Sequence, residues 1–262
     1  MCGRFALVAK TDAARDYFGG VDFGDFAPRY NIAPTQPILV VVAGERADPR
    51  SNLPERRAVL VRWGFLPGWV KDPRDFPLLI NARAETAIGK ASFRAAMRHR
   101  RILVPASGFF EWRRPEGKGE GKGARPQPYW IRPRKGEIVA FAGLMETWSS
   151  PDGSEVDTGA ILTTAASGDI APIHERMPVV IHPEDFSRWL DCKTQEPRDV
   201  ADLMKPAEEG FFEAIPVSDK VNKVANMGPH LLEPAEERSR EVPAPAKADT
   251  KSQPDPDQLS LF

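Results

Sequence analysis

What most constrains the fold of this chain is a succession of short apolar runs, each cut off by glycine, proline, asparagine or aspartate. Read in order they are RFALVA, PILVVVA, AVLVRW, RILVP, GFFEWR, PYWIRP, IVAFAGL, GAILTTAA and PVVI. Each is too short for a packed helix and rich in the β-branched and aromatic side chains that suit a pleated surface. Few stretches read as helices. KTDAARDYF does, with Thr11 or Asp12 as its expected N-cap; so does ASFRAAMRHR, capped at Ser92. HPEDFSRWL has proline in a first turn followed by acidic residues, a helix-start signal. Strands dominate and do not alternate with helices, which argues against a doubly wound parallel sheet. The expectation is an α+β fold: mostly antiparallel strands in a barrel-like core with a few peripheral helices.

The 262 residues suit one large domain plus an appendage. Residues 1–232 are expected to form the domain and 233–257 a tether with the composition of disorder, leaving a short apolar peptide at 258–262. The tail from Glu233 carries seven acidic and four basic residues, against 37 and 36 in the whole chain. The body is therefore slightly basic, most strongly from Arg83 to Arg114, where eight Lys/Arg face two Glu. Such a stripe is either a solvated face or a footprint for phosphates. RPEGKGEGKGARPQP, too rich in glycine, proline and charge to pack, is expected to be a hairpin loop. The N-terminus lacks the basic and apolar regions of a secretion signal, no apolar run approaches bilayer length, and Cys2 and Cys192 make neither a disulfide framework nor a CxxC pair. A cytoplasmic protein without membrane contact, metal or cofactor is expected.

The chemistry-bearing residues gather in a few polar stretches: MCGRF, RYNIAPTQ, RWGFLPGW, LINARAET, PASGFFEW, TTAASGDIAPIHERMPVVI and VNKVANMG. Taken singly, each has a plain structural role. Asn81 can be a turn residue, Glu111 the outward position of an alternating strand, His174 a satisfied histidine, and the tryptophans core. The position of Cys2 is more telling. Removal of Met1 would expose a residue carrying both an α-amine, which titrates near pH 8, and a thiol. A 1,2-aminothiol condenses with an aldehyde twice: the amine forms a Schiff base and the thiol then closes a thiazolidine ring. An internal cysteine cannot do this, because its nitrogen is an amide. Gly3 leaves room for close approach, and Glu111 and His174 are suited to the proton transfers.

MCGRFA, RYNIAPTQ, WGFLPGW, INARAET, GFFEW and IHERMPVVI together resemble the motifs of the SRAP (SOS-response-associated peptidase) family of abasic-site processing proteins, in order from Cys2 to about Leu232. The resemblance implies an α+β pseudo-barrel around a DNA-binding cleft and a sensor of abasic sites in single-stranded DNA, which captures the ring-opened sugar aldehyde as a thiazolidine and has an associated AP-lyase capacity. It implies Cys2 as nucleophile, Asn81 as the group holding the sugar and orienting the terminus, Glu111 in Schiff-base formation and reversal, and His174 in ring opening. It places Arg4, Arg83 and Arg176 at phosphates and Trp69, Trp112 and Pro34 beside the bases, the mixture that single-strand binding uses. The terminal DQLSLF resembles the peptide by which bacterial DNA-maintenance proteins dock into the replicative sliding clamp, with Gln258 at the pocket rim and Leu259, Leu261 and Phe262 in an apolar groove. A monomer, associated with the nucleoid at damage, is expected. Competing readings are an N-terminal-nucleophile peptidase or amidohydrolase, a non-catalytic clamp-tethered strand binder, and, more weakly, a metal site built from Cys2, Glu111 and His174.

Overall fold

A ring of five strands forms the centre of the computed structural model, which describes residues 2–44, 55–114 and 125–237. In chain order the strands are β1 (Phe5–Leu7), β2 (Arg29–Ile32), β3 (Pro37–Ala43), β4 (Arg56–Trp63), β5 (Asn81–Arg83), β6 (Arg101–Ala106), β7 (Gly108–Arg113), β8 (Gln127–Pro133), β9 (Val139–Ser149), β10 (Glu155–Ala165), β11 (Arg176–Pro178), β12 (Val180–Ile181) and β13 (Phe212–Pro216). The helices α1 (Thr11–Tyr17), α2 (Ala84–Ala87), α3 (Arg94–His99) and α4 (Phe186–Leu190) are short. In the ring, β10, β4, β3, β6 and β9 pair in turn and β9 pairs back to β10. A closed ring with an odd number of strands cannot alternate direction all the way round, so one pair must be parallel. That pair is β4–β10, where Arg62 and Trp63 lie beside Thr158 and Gly159.

The ring opens at the C-terminal end of β10. One edge of β10 is held first by β4 and then, at Ile161–Thr163, by the parallel strand β5, because the chain leaves after Trp63 and returns at Asn81. The opposite edge is held first by β9 and then, at Thr163–Ala165, by β11. The last residues of β10 therefore lie between Asn81–Arg83 on one side and Arg176–Pro178 on the other. A second, wholly antiparallel sheet, β13-β8-β7-β1-β2, packs against the ring. Phe109 sets its edge on Phe141 at 5.9 Å and Phe5 packs edge-on to Trp63 at 5.2 Å, geometries that suit the ring quadrupoles.

The second sheet is covered on both faces. Phe109 belongs to the main core, while Phe110 and Trp130, on the other face, are covered by Val217, Val221 and Leu231. Alternation along GFFEWR therefore does not turn any residue fully outward, and Glu111 shares the inner face with Phe109. The α+β, barrel-like expectation agrees with this architecture. The hairpin expectation agrees as far as the described residues reach, since Arg113 pairs with Gln127 across residues 115–124. The caps differ: Lys10 and Phe93 precede α1 and α3, neither with a side-chain bond, so Thr11 lies inside its helix and Ser92 one residue before its cap. In HPEDFSRWL a 3-10 turn, Pro183–Asp185, runs into α4. The segment from Glu233 to Glu237, assigned by composition to the tether, is held on the domain: Pro234 bridges Val217, Ala235 N–H donates to Pro216, and Tyr129 Oη donates to Glu237 at 2.5 Å. The rest of the tether and Gln258, Leu259, Leu261 and Phe262 lie outside the described residues.

Thr35 has φ +72°, a left-handed conformation that a β-branched residue adopts at a cost of about 1–2 kcal/mol. Its N–H donates to Trp63 O at 2.7 Å and Trp63 N–H donates to Gln36 O at 2.9 Å, and these bonds hold the turn in place. Thr35→Gly is expected to raise stability by about 0.5–1 kcal/mol, because the strain removed exceeds the added chain entropy of glycine. A higher urea midpoint with an unchanged m value would show it.

Candidate active site

Cys2 is wholly buried, and the side-chain amide of Asn81 donates to its carbonyl at 2.9 Å. Asn81 can reach it because β5 resumes the edge of β10 that β4 abandons. On the facing sheet, β1 pairs with β7 as Phe5↔Phe109, and Phe110 N–H donates to Arg4 O at 2.9 Å. Continued by two residues, that register sets Gly3, which has no side chain to intrude, opposite Glu111. Glu111 is 3% exposed, and burial pushes its carboxyl up to about 7, against the pull of the positive amino terminus. The Cys2 thiol is pushed well above the usual thiol range, first by burial and then by the Glu111 charge. The carboxyl changes state near neutrality, whereas the thiol keeps its proton there and needs a base to release it.

Two further polar atoms belong to β5 and β10. Directly paired residues in a sheet share a face, so Asn81 (opposite Ile161) and Arg83 (opposite Thr163) lie on one face with Thr163. Asn81 Oδ1 and Thr163 Oγ1 are both buried without a hydrogen-bond partner among the described residues. Buried polar atoms are rarely left so. Thr163 was legible only as part of the TTAA stretch. Across β10 from Asn81, His174 precedes β11, and Arg176 N–H donates to His174 Nδ1 at 2.9 Å. Burial holds the imidazole below the usual histidine range.

The residues expected at DNA divide into two groups. Arg4 is tied into the protein: Nη1 donates to Asn31 Oδ1 and to Val221 O, each at 2.7 Å, and the guanidinium lies 5.9 Å from the Trp112 ring centroid. Trp112 Nε1 donates to Asn222 Oδ1 at 2.8 Å. Asn31, which sequence reasoning did not single out, is buried and donates to the carbonyls of Val221, Lys223 and Asn226. It thereby pins the VNKVANMG segment beside Arg4 and Trp112. Arg176 is likewise engaged, in a bidentate pair with Glu85. Arg83 is exposed, Trp69 is 61% exposed with its edge against Phe76, and Pro34 is half-buried next to the strained Thr35. The structure brings Cys2, Asn81 and Glu111 together and sets Arg4 and Trp112 beside them; it records no contact from Trp69 to that group.

A cleft of about 940 Å³ opens at the other end of β4, lined by Arg56, Arg100, Arg101 and Cys192. Its arginines already serve the protein: Arg56 donates to Ser187 Oγ, Arg100 to Thr147 Oγ1, and Arg101 to the carbonyls of Met97, Trp189, Asp191 and Gln195. Among the described residues, no three His, Cys, Asp or Glu side chains converge as metal ligands, and no helix is long and apolar enough to cross a membrane.

The open-ended ring, the covered second sheet and a cysteine at position 2 gripped by the asparagine of INAR define a class of protein. Residues 1–224 match the family described as SOS response associated peptidase (SRAP), and the chain belongs to that family. It is 36% identical over 236 residues to the abasic site processing protein YoqW of Bacillus subtilis, covering 89% of this chain and 99% of that one. It is 32% identical to the abasic site processing protein YedK of Escherichia coli, covering 89% and 100%. Among solved structures, a Bacteroides thetaiotaomicron protein superposes with a TM-score of 0.69 at 25% identity, over 90% of this chain and all of that one.

Proposed function

We propose that this protein recognises abasic sites in single-stranded DNA and captures them covalently through Cys2 after removal of Met1. The observation that carries the reading is the meeting at position 2, where the Asn81 amide grips the Cys2 carbonyl at 2.9 Å and the buried Glu111 carboxyl acts on the thiol. The names of the relatives support the substrate class. In this reading the sugar hydroxyls satisfy Asn81 Oδ1 and Thr163 Oγ1, and His174 takes the proton of the C1′ hydroxyl and gives it to the ring oxygen as the C1′–O4′ bond breaks and the sugar opens to its aldehyde. The Cys2 amine adds to the aldehyde carbon, and protonated Glu111 donates to the carbinolamine hydroxyl, which leaves as water. The thiol, its proton passing to the Glu111 carboxylate, then adds to the iminium carbon and closes the thiazolidine. The iminium also acidifies the neighbouring C–H, so β-elimination and strand cleavage compete with ring closure. Reversal runs the same proton transfers backwards.

Arg83 presents the exposed cation of the groove, Arg4 and Arg176 add charge from within the protein, and Trp69, Trp112 and Pro34 border the bases. The terminal QLSLF is retained as a clamp-docking peptide. The test is a denaturing gel of the protein with an oligonucleotide bearing one abasic site. A heat-stable adduct is expected, and it should be lost when the aldehyde is first reduced to the alcohol. Persistence of the adduct on the reduced strand would refute the chemistry, and hydrolysis of peptides with no adduct would favour the N-terminal-nucleophile hydrolase.

A further inference from the structure

Glu85 stands four residues after Asn81, in the first turn of α2, and takes no part in the chemistry above. Arg176 Nη1 donates to its Oε1 at 2.7 Å and Nη2 to its Oε2 at 2.8 Å. Nη2 donates as well to the carbonyl of Thr163 at 2.6 Å. The arginine side chain is 14% exposed and the glutamate 49%. A half-exposed ion pair contributes little to stability, but a two-pronged guanidinium–carboxylate contact fixes orientation as well as distance. With three acceptors, the guanidinium is locked across the end of β10.

The backbone of the same arginine holds His174. Arg176 pairs with Ala165 in the β10–β11 ladder, and its N–H donates to His174 Nδ1 at 2.9 Å. The same nitrogen lies 3.2 Å from the carbonyl oxygen of Arg176, so both backbone groups of Arg176 meet Nδ1 and hold that edge of the ring. Besides the backbone of Arg176, the charges of Glu175 and Arg114 act on the ring. From this chain of contacts we infer that Glu85 is a positioning residue: through Arg176 it fixes the His174 imidazole in one tautomer and orientation and ties the strand of Asn81 to the segment of His174. The inference rests on the proposed function only for the reaction that the ring serves.

The first measurement needs no DNA. Nitrogen-15 NMR of the histidine rings in the full chain at pH 8, with His174 assigned by its loss in His174→Gln, is expected to show the pattern of a single tautomer in the parent. Glu85→Ala is expected to show a mixture of tautomers, and Glu85→Asp to recover the parent pattern in part. The second measurement is adduct formation with the abasic oligonucleotide. The maximal rate of Glu85→Ala is expected to fall about tenfold with the DNA concentration at half-maximal rate changed by less than about twofold, the signature of lost alignment rather than lost binding. If Glu85→Ala does not fold, Glu85→Gln decides, since it keeps the shape and loses the charge. An unaltered tautomer pattern in a folded variant overturns the inference, as does a lowered melting temperature with pattern and maximal rate unchanged. A shifted pattern in a protein that forms no adduct supports the positioning role and removes the proposed reaction instead.

Discussion

Cys2→Ala is expected to abolish the heat-stable adduct, lowering its yield on the order of 10³-fold or more, to the level of the uncatalysed background. The substitution deletes a sulfur atom and little else. Asn81 grips the carbonyl of residue 2, not its side chain, so the terminus should stay where it is. The fold should lose about 1 kcal/mol for the small void in a fully buried site. The amine remains, so an iminium can still form. Borohydride should therefore trap Cys2→Ala and Cys2→Ser on abasic DNA, although neither leaves an adduct that survives heating without reductant. The serine hydroxyl can add to the iminium, but the resulting oxazolidine opens readily in water. With ring closure gone, the iminium lasts longer and strand cleavage by β-elimination should rise in both variants. Intact-mass measurement of the mature chain completes the test: a retained Met1 places an amide at the nitrogen of Cys2 and excludes the mechanism. A heat-stable adduct in Cys2→Ala would refute it equally.

The ring strands were legible because each carries an apolar run: those of β3, β6, β9 and β10 are largely buried, and β4, half-exposed, showed as AVLVRW. The strands that build the site did not read this way. β5 is three residues long and polar at both ends, and it exists because β10 offers an unfilled edge once β4 stops. β2 carries the buried polar Asn31, whose partners are carbonyls some 190 residues away in sequence; no local pattern encodes such a contact. Glu111 shows the limit of alternation: in a sheet covered on both faces, a charged residue inside an apolar run can point inward. The Cys2 chemistry was accessible from position alone, since only a residue next to Met1 can become an aminothiol. What geometry adds is Thr163, the grip of Asn81 on the Cys2 carbonyl, and the engagement of Arg4 and Arg176 by protein groups. All of these depend on which distant strands meet.

Glu111→Gln is expected to stabilise the protein at pH 8 by up to about 3 kcal/mol while slowing adduct formation. The native carboxyl titrates near 7 and an unfolded one near 4.5. Below pH 4.5 both states carry the proton, and Glu111 makes no pH-dependent contribution. Between 4.5 and 7 the unfolded chain has released the proton and the native chain still holds it. The native state then binds one proton more, so stability falls as pH rises, by nearly 1.4 kcal/mol per unit across this window. Above 7 both states are ionised and the loss is complete. Glutamine has the same shape and never ionises, so the stability difference between variant and parent should be near zero at pH 4 and largest above pH 7. Urea unfolding across pH 4–8 reads this directly. The adduct rate of the parent should change through an inflection near pH 7, as the carboxyl passes from proton donor to proton acceptor. In Glu111→Gln that inflection should vanish and the rate fall about 10²-fold, a usual contribution of a positioned acid–base group. A stability difference that does not vary with pH would mean that Glu111 ionises normally inside the protein. The buried carboxyl could not then serve both halves of the condensation, and the acid–base role would pass to His174.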